Sequence, residues 1–150
     1  MSTTGTTGTA GDVAALAADL RLVVGRLTRR LRAHPPGGLT LSQLSALATV
    51  EEHGPLRLTD LAAREGVALP TASRAVDQLV QHGLVGRSAD PADARCARLA
   101  LTPEGTALLA GWRQERAALL AAHLHTLTPA DLDRLRQALP VLRAVLAGLG

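Results

Sequence analysis

The chain has 150 residues, a formal net charge of +3 at pH 7 and a single cysteine. One cysteine excludes an intramolecular disulfide and a zinc site of four cysteines, and it fits a reducing, cytoplasmic compartment. All 16 basic residues are arginines spread evenly along the chain, so any affinity for nucleic acid must come from where individual arginines point rather than from a basic tail.

The N-terminal part of the chain predicts a tail followed by a long helix. Residues 1–11 are rich in threonine and glycine, and we expect them to be disordered. From Asp12, a candidate N-cap, apolar residues recur every three or four positions as far as Leu31, which indicates one stripe of an amphipathic helix. We find no signal peptide and no apolar run long enough to span a membrane, so we expect no membrane partner.

The next segment predicts two short helices. Thr40 and Gln43 have the spacing of a capping box and begin a helix that ends at Gly54-Pro55. The tripeptide that follows, Leu-Arg-Leu, can form a very short strand. Thr59 is then expected to cap a third helix, which ends at Gly66.

A fourth helix and a hairpin come next. The helix is expected to begin near Pro70 and to end at Gln81. The two strand cores are 84–85 and 99–101, with a charged loop at 88–95 between them. Alternation in the second strand places Ala97, Leu99 and Leu101 on its inward face. A helix-turn-helix followed at once by a hairpin is a winged helix, which presents one helix to the DNA major groove and the loop to a neighbouring groove.

The remaining helices lie outside this DNA reader. Thr102-Pro103 and Thr128-Pro129 open two more leucine-rich helices, and Pro140 is expected to kink or split the last one. We predict a single domain over residues 12–150, with the reader at 40–102 and dimerisation helices at 12–39 and 103–150. Pairing the leucine stripes with a second copy would bury them, whereas the alternative is that these helices wrap one reader. The fold class is therefore mainly α with a small β-hairpin wing (α+β).

Candidate DNA contacts on the fourth helix follow from its polar face. Residues near the N-terminus of a recognition helix enter the groove first, which favours Thr71, Ser73 and Arg74, and then Gln78. Arginine can bind the O6 and N7 atoms of guanine, glutamine can pair with adenine, and serine or threonine can reach bases or phosphates.

The hairpin supplies a second set of candidate contacts. Asp93 lies two residues before Arg95, so its carboxylate can hold the guanidinium extended. An extended arginine is attracted into a narrow minor groove by the negative potential there. Arg87 and Arg98 occupy strand positions beside the loop, where they can contact phosphates.

Other kinds of site have less support in the sequence. Cys96 lies between two arginines that would lower the pKa of its thiol, so a redox-sensing regulator stays open beside an inert surface cysteine. His123 and His125 do not share a helix face, and we expect no metal site and no cofactor. No arrangement of nucleophile, base and orienting group indicates an enzyme. A winged helix used only for protein–protein contact is a further alternative.

Three segments carry a resemblance to a known family. They begin at Leu41 (LSQLSAL), at Ser73 (SRAVDQLVQHGLV) and at Asp90 (DPADARCARLALTPEG). In these segments, and over residues 12–148 as a whole, the chain resembles the multiple-antibiotic-resistance regulator (MarR) family. The resemblance implies a homodimeric winged-helix transcriptional regulator, usually a repressor, that binds a pseudo-palindromic operator in double-stranded DNA.

The resemblance also implies roles for particular residues and for a ligand. Asp93 and Arg95 align with the wing pair of the family, and Arg74 aligns with an arginine of its recognition helix. Many members release DNA when a small ligand binds between the dimer helices and the reader. The apolar walls and the arginines of the first helix suggest a small apolar or anionic effector, whose binding residues the sequence leaves unknown.

Overall fold

The computed structural model describes residues 7–93 and 95–149, with side chains described from residue 11 onward. The chain divides into two compact units between Leu109 and Ala110. The first unit holds a long N-terminal helix, the helix-turn-helix and a small sheet, and the second holds the last two helical segments. The single domain expected for residues 12–150 stays a prediction.

The N-terminal helix α1 runs from Thr7 to Arg32, so it begins earlier than the sequence predicted. Asp12 lies inside the helix instead of capping it. No proline interrupts residues 7–11 and Ala10 is a strong helix former, so the helix can extend past the aspartate. The rest of the expected tail, residues 1–6, lies outside the described residues. Much of the apolar stripe is open to solvent, since Val13, Leu16 and Val23 are more than half exposed.

A short 3-10 turn (Pro36–Gly38) precedes the helix-turn-helix, and the β-hairpin of the wing follows it. Between them lie α2 (Leu41–His53), β1 (Leu56–Arg57), α3 (Leu58–Glu65) and α4 (Leu69–Gln81). The capping box of α2 is confirmed, because the Gln43 backbone N–H donates to Thr40 Oγ1 (3.2 Å) and the Thr40 N–H donates to Gln43 Oε1 (2.7 Å).

The start of α3 differs from the expectation that Thr59 would cap it. The helix follows β1 directly, and Arg57 is its N-cap with extended backbone angles. Thr59 therefore has helical backbone already and its hydroxyl caps nothing at this end. Gly66 closes the helix with a left-handed backbone (φ 64°), a conformation that glycine adopts without the steric cost of a Cβ.

The sheet is antiparallel and has the order β1-β3-β2, with β2 at Val85–Ala89 and β3 at Ala97–Leu101. Leu99 pairs with Leu56 and is buried, as its inward position predicted. The inward position predicted for Ala97 is wrong, because Ala97 is exposed. It pairs with Ala89 at the outer end of the hairpin, where the two strands extend beyond the core.

The core of the first unit is built largely from leucine and valine side chains of α2, α3, α4 and the sheet. Leu47 of α2, Leu61 of α3 and Leu79 of α4 are fully buried, as is Leu99. Each such leucine stabilises the fold by roughly 1.5–3 kcal/mol relative to an exposed one. Because Leu79 anchors one face of α4 in this core, the opposite face of α4 is directed to solvent.

Helix α5 (Pro103–Leu124) begins directly after the wing. The Thr102 hydroxyl donates to the Gly83 carbonyl (2.6 Å) and accepts from the Gly105 N–H (3.0 Å). Gly105 is buried against the backbone of Leu84. These contacts fix the N-terminus of α5 to the turn between α4 and β2.

The second unit contains the C-terminal part of α5 and helix α6 (Pro129–Ala147). Thr128 caps α6 as predicted, since its hydroxyl accepts from the Asp131 N–H (3.2 Å). Pro140 does not split the helix. It removes one backbone hydrogen bond, to the carbonyl of residue 136, and Arg136 lies in an exposed stretch where solvent can satisfy that carbonyl. Of the helices described, none has the length and apolar character needed to cross a membrane.

Candidate nucleic-acid interface

Helix α4 separates a buried face from a polar one, as its sequence predicted. Ala72, Val76 and Leu79 are buried. Thr71 and Arg74 lie on the exposed face, and Ser73 is half-buried beside them. Pro70 fits the first turn of the helix, where a missing N–H costs no helical hydrogen bond. The N-terminal half of α4 thus carries three polar side chains close together.

Arg74 differs from most arginines of the reader. Among the described residues its guanidinium forms no hydrogen bond and no ion pair. Its five N–H donors are therefore all available to an external partner, and a guanidinium matches the two acceptors of a guanine edge.

Gln78 lies one turn further along α4 and has an intramolecular partner. Its side-chain carbonyl accepts a hydrogen bond from the side-chain amide of Gln43 in α2. Gln43 is 7% exposed, whereas Gln78 is exposed. Gln78, an expected DNA contact, is thus hydrogen-bonded to a buried residue of α2, which the sequence predicted only as part of the α2 cap.

Arg87 of β2 is bound to the recognition helix. Its Nη2 donates to Asp77 Oδ1 (2.6 Å), and both side chains stay partly exposed. The ion pair joins the first strand of the wing to α4. The other donors of the guanidinium stay available for the phosphate contact that we expect of Arg87.

The base of the wing contains a buried carboxylate that sequence analysis did not identify. The side chain of Asp90 is fully inaccessible to solvent, and its Oδ2 lies 2.6 Å from Arg57 Nε and 3.3 Å from Arg98 Nε. Its other oxygen accepts from the Ala92 N–H (2.8 Å). The hydrogen bond from Arg57 has the largest effect on the pKa of Asp90, and the hydrogen bond from the Ala92 backbone has the second largest. Together they hold this pKa well below its ordinary value. The contact with Asp90 likewise raises the pKa of Arg57.

This cluster changes the surroundings of Arg98, which was expected to contact phosphate. Its Nε is buried and directed towards Asp90, so only the distal end of the guanidinium can reach DNA. An Asp-Pro dipeptide at the end of a strand signals a turn. Nothing in the sequence pairs it with Arg57, however, because the two residues are 33 positions apart.

The tip of the wing contains the predicted Asp93–Arg95 pair. Asp93 Oδ1 accepts from the Arg95 backbone N–H (3.0 Å) and from Arg95 Nε (3.3 Å), while the Arg95 side chain is 93% exposed. Both hydrogen bonds lower the pKa of Asp93, and the one from the Arg95 backbone has the larger effect. A carboxylate that stays ionised thus holds one end of an arginine that otherwise points into solvent.

Cys96 follows the tip and is half-buried. Its thiol donates to the second oxygen of Asp93 (3.7 Å) and so contacts a carboxylate rather than the neighbouring arginines. A redox role for Cys96 stays a prediction.

The reader therefore presents donors from two elements: Thr71, Ser73 and Arg74 from α4, and Arg95 from the wing. The hydrogen bond between Arg87 and Asp77 joins these elements, and the Asp90 cluster stabilises the loop from below. Arg57 and Asp90 are the residues of this candidate site that the sequence did not reveal.

The chain is similar in sequence to known transcriptional regulators. A family model described as MarR family matches residues 39–97. The HTH-type transcriptional regulator MT0903.1 of Mycobacterium tuberculosis is 38% identical over 133 residues, which are 88% of this chain and 93% of that protein. The HTH-type transcriptional repressor MdtR of Bacillus subtilis is 32% identical over 95 residues, 63% of this chain and 61% of the repressor.

A solved structure of a MarR family protein from Bacillus stearothermophilus superposes with a TM-score of 0.70 and 25% identity, covering 91% of this chain and 96% of that one. The winged helix-turn-helix described above and the similarity to MT0903.1 along almost its full length lead to one conclusion. This chain belongs to the MarR family of DNA-binding transcriptional regulators, and it is a regulator rather than an enzyme.

Proposed function

We propose that the protein is a homodimeric repressor that binds a pseudo-palindromic operator through α4 and the wing. The observation that carries this proposal is the geometry of Arg95, which is 93% exposed and yet held by Asp93. An exposed arginine on a loop loses side-chain entropy when it is fixed and here packs against no core. Fixing it in advance favours insertion into a narrow minor groove.

Helix α4 supplies the base contacts in this proposal. Arg74 has all its donors free among the described residues, and Thr71 and Ser73 precede it by three residues and one residue on α4. Arg74 binds a guanine edge, while the two hydroxyls bind bases or phosphates. Arg87 and the distal end of Arg98 contact the backbone and set the register of the protein on the duplex.

The proposed dimer rests on apolar surface that the single chain leaves uncovered. Val13 and Leu16 of α1 are 62% and 67% exposed, and Val141 and Leu146 of α6 are 63% and 71% exposed. Apolar stripes of this kind are unfavourable in water and mark association surfaces. A second copy of the chain has matching stripes, and a two-fold dimer matches the symmetry of a pseudo-palindromic operator.

The proposal includes repression of transcription, its relief by a small ligand and a cytoplasmic location. MdtR is named a repressor, which supports the same sign of regulation here. Relief by a small apolar or anionic ligand is part of the proposal, and a cavity of about 250 Å³ in the first unit, lined by Arg64 and Asp60 among others, offers one place for it. The proposed operator binding places the protein with its DNA, in the cytoplasm.

The experiment begins with selection of the preferred duplex from random DNA, followed by titration of the purified full-length protein at several salt concentrations. Arg74→Ala is expected to weaken binding to the selected site by about 1–3 kcal/mol per half-site and to relax its base preference. Arg95→Ala is expected to weaken binding most where the flanks are rich in A·T, with Asp93→Ala causing a smaller loss in the same direction.

Arg134→Ala is the matched control, because it removes the same charge from α6, outside the reader. Binding that does not depend on salt, or equal losses for Arg74→Ala and Arg134→Ala, would contradict the proposal. A purified protein that binds no duplex at all would favour a winged helix that binds only another protein.

A further inference from the structure

The side-chain amides of Gln43 and Gln78 form a short chain of hydrogen bonds between two helices of the reader. The Thr40 backbone N–H donates to Gln43 Oε1 at 2.7 Å. The Gln43 Nε2 amide donates in turn to Gln78 Oε1. Gln43 is 7% exposed, so it is shielded from water, which could otherwise replace either partner.

The direction of this chain is set by its first member. A backbone N–H can only donate, so the end of Gln43 that faces Thr40 must be its carbonyl oxygen. The other end of Gln43 is then its NH2 group, which can only donate to Gln78. The end of Gln78 that faces Gln43 must therefore be an acceptor, which is its carbonyl oxygen.

This leaves the NH2 group of Gln78 as the end directed away from Gln43. Among the described residues it has no hydrogen-bond partner, and Gln78 is exposed on the same face of α4 as Arg74. A glutamine that is free to rotate can present an acceptor, a donor or both to a base pair. With its carbonyl oxygen turned towards Gln43, Gln78 directs its N–H donors outward, while one lone pair of that oxygen stays available.

We infer that Gln43 is a positioning residue that sets the sequence specificity of Gln78. It fixes the Gln78 amide so that α4 offers a hydrogen-bond donor to the major groove. The selected base then has an acceptor edge at this position: the O6 or N7 atom of guanine, the O4 of thymine or the N7 of adenine. A base that offers only a donor at this position, such as cytosine through its N4 amino group, is disfavoured, because the outward end of Gln78 is itself a donor.

The inference rests on the proposed function, in which α4 lies in the major groove. It also gives the capping box of α2 a second consequence. The hydrogen bond that closes the box around Thr40 determines, through Gln43, which base α4 accepts.

The test starts from the selected duplex and the full-length protein. The base pair read by residue 78 is the one whose preference is lost in Gln78→Ala. At that pair, a base analogue without the major-groove acceptor, such as a 7-deazapurine for N7, is expected to weaken binding of the wild type by about threefold to tenfold per half-site, as for one hydrogen bond. Where the pair is A·T, an analogue without the N6 amino group of adenine is expected to weaken binding less than loss of the N7 acceptor does, because Gln43 already occupies one lone pair of the Gln78 carbonyl.

The Gln43→Glu variant is the decisive one. A glutamate keeps the acceptor that Thr40 requires, and it is a standard capping-box residue. At a pH where this carboxyl group is ionised, its other oxygen can only accept, so the Gln78 amide has to turn and present its carbonyl to DNA. The preferred base pair is expected to reverse, for example from G·C to C·G at the same position.

Two features keep this test interpretable. The added negative charge weakens binding to every duplex, so it cancels in the ratio of the two Kd values for the opposed base pairs. Thr40→Val is the matched control for stability: it removes the hydroxyl of the α2 cap but keeps the backbone N–H bound to Gln43. Its base preference is expected to equal that of the wild type.

An unchanged preference in Gln43→Glu would overturn the inference, and so would a wild type that loses more affinity when a major-groove donor is removed than when the acceptor is removed. If Arg74→Ala relaxes specificity while Gln78→Ala changes no base preference, the inference fails and the proposed function stands. If neither variant alters binding, the proposed function fails as well.

Discussion

Gly105 provides a sharp test of how the wing is attached to the long helix that follows it. A methyl group at this position would overlap the carbonyl oxygen of Leu84 and lie 3.1 Å from the carbonyl carbon of the same residue. Leu84 is itself buried, 8% exposed. The opposing atoms belong to the backbone and cannot rotate away, so Gly105→Ala must displace either α5 or the start of the wing.

The expected magnitude follows from two opposing effects. Alanine stabilises a helix interior by about 1 kcal/mol relative to glycine. Inserting a methyl group into a packed site costs about 1–3 kcal/mol, and the rigid backbone contact favours the upper end of that range. The net loss in the free energy of unfolding is thus about 2 kcal/mol, which lowers the Tm of a chain of this size by about 4–8 °C.

The assay is denaturant and thermal unfolding followed by circular dichroism, with Gly111→Ala as the matched control. Gly111 lies on the same helix, and nothing lies within 4 Å of a Cβ built there, so this substitution is expected to leave stability unchanged or to raise it. A Gly105→Ala protein as stable as the wild type would refute the reasoning. So would equal changes in the two variants.

The remaining predictions concern the buried carboxylate and the dimer. The pKa of Asp90 is lowered in the folded state, so the stability that it contributes is present above its ordinary value of about 3.9 and is lost as the pH falls through the lowered value. Asp90→Asn is therefore expected to unfold more easily at pH 7 and to show a weaker pH dependence of the free energy of unfolding below about pH 4; an unchanged slope there would contradict the role of the carboxylate. Deletion of residues 129–150 is expected to weaken both self-association in analytical ultracentrifugation and operator binding. A truncated protein that dimerises as the full-length chain does would contradict the proposed role of α6.

The sequence by itself determined the order of elements and the faces of the recognition helix. Caps and breakers are local signals, so Thr40 with Gln43 placed the start of α2, and Thr128 placed the start of α6. The spacing of Ala72, Val76 and Leu79 identified the buried face of α4, because a helical period of 3.6 residues follows from the backbone alone. The Asp93–Arg95 contact was also within reach, since its partners are two residues apart.

The tertiary structure decided the contacts between residues far apart in the chain. Asp90 meets Arg57 across 33 positions, and Gln43 meets Gln78 across 35. No periodicity or cap signals either contact, because each one depends on how α2, α4 and the sheet pack around Leu47, Leu79 and Leu99. Packing also placed Ala97 outside the core and turned the Nε of Arg98 towards a carboxylate. Local hydrogen bonding and side-chain periodicity are encoded in short stretches of sequence, whereas the partner of a buried charge or amide is fixed only when the core brings distant elements together.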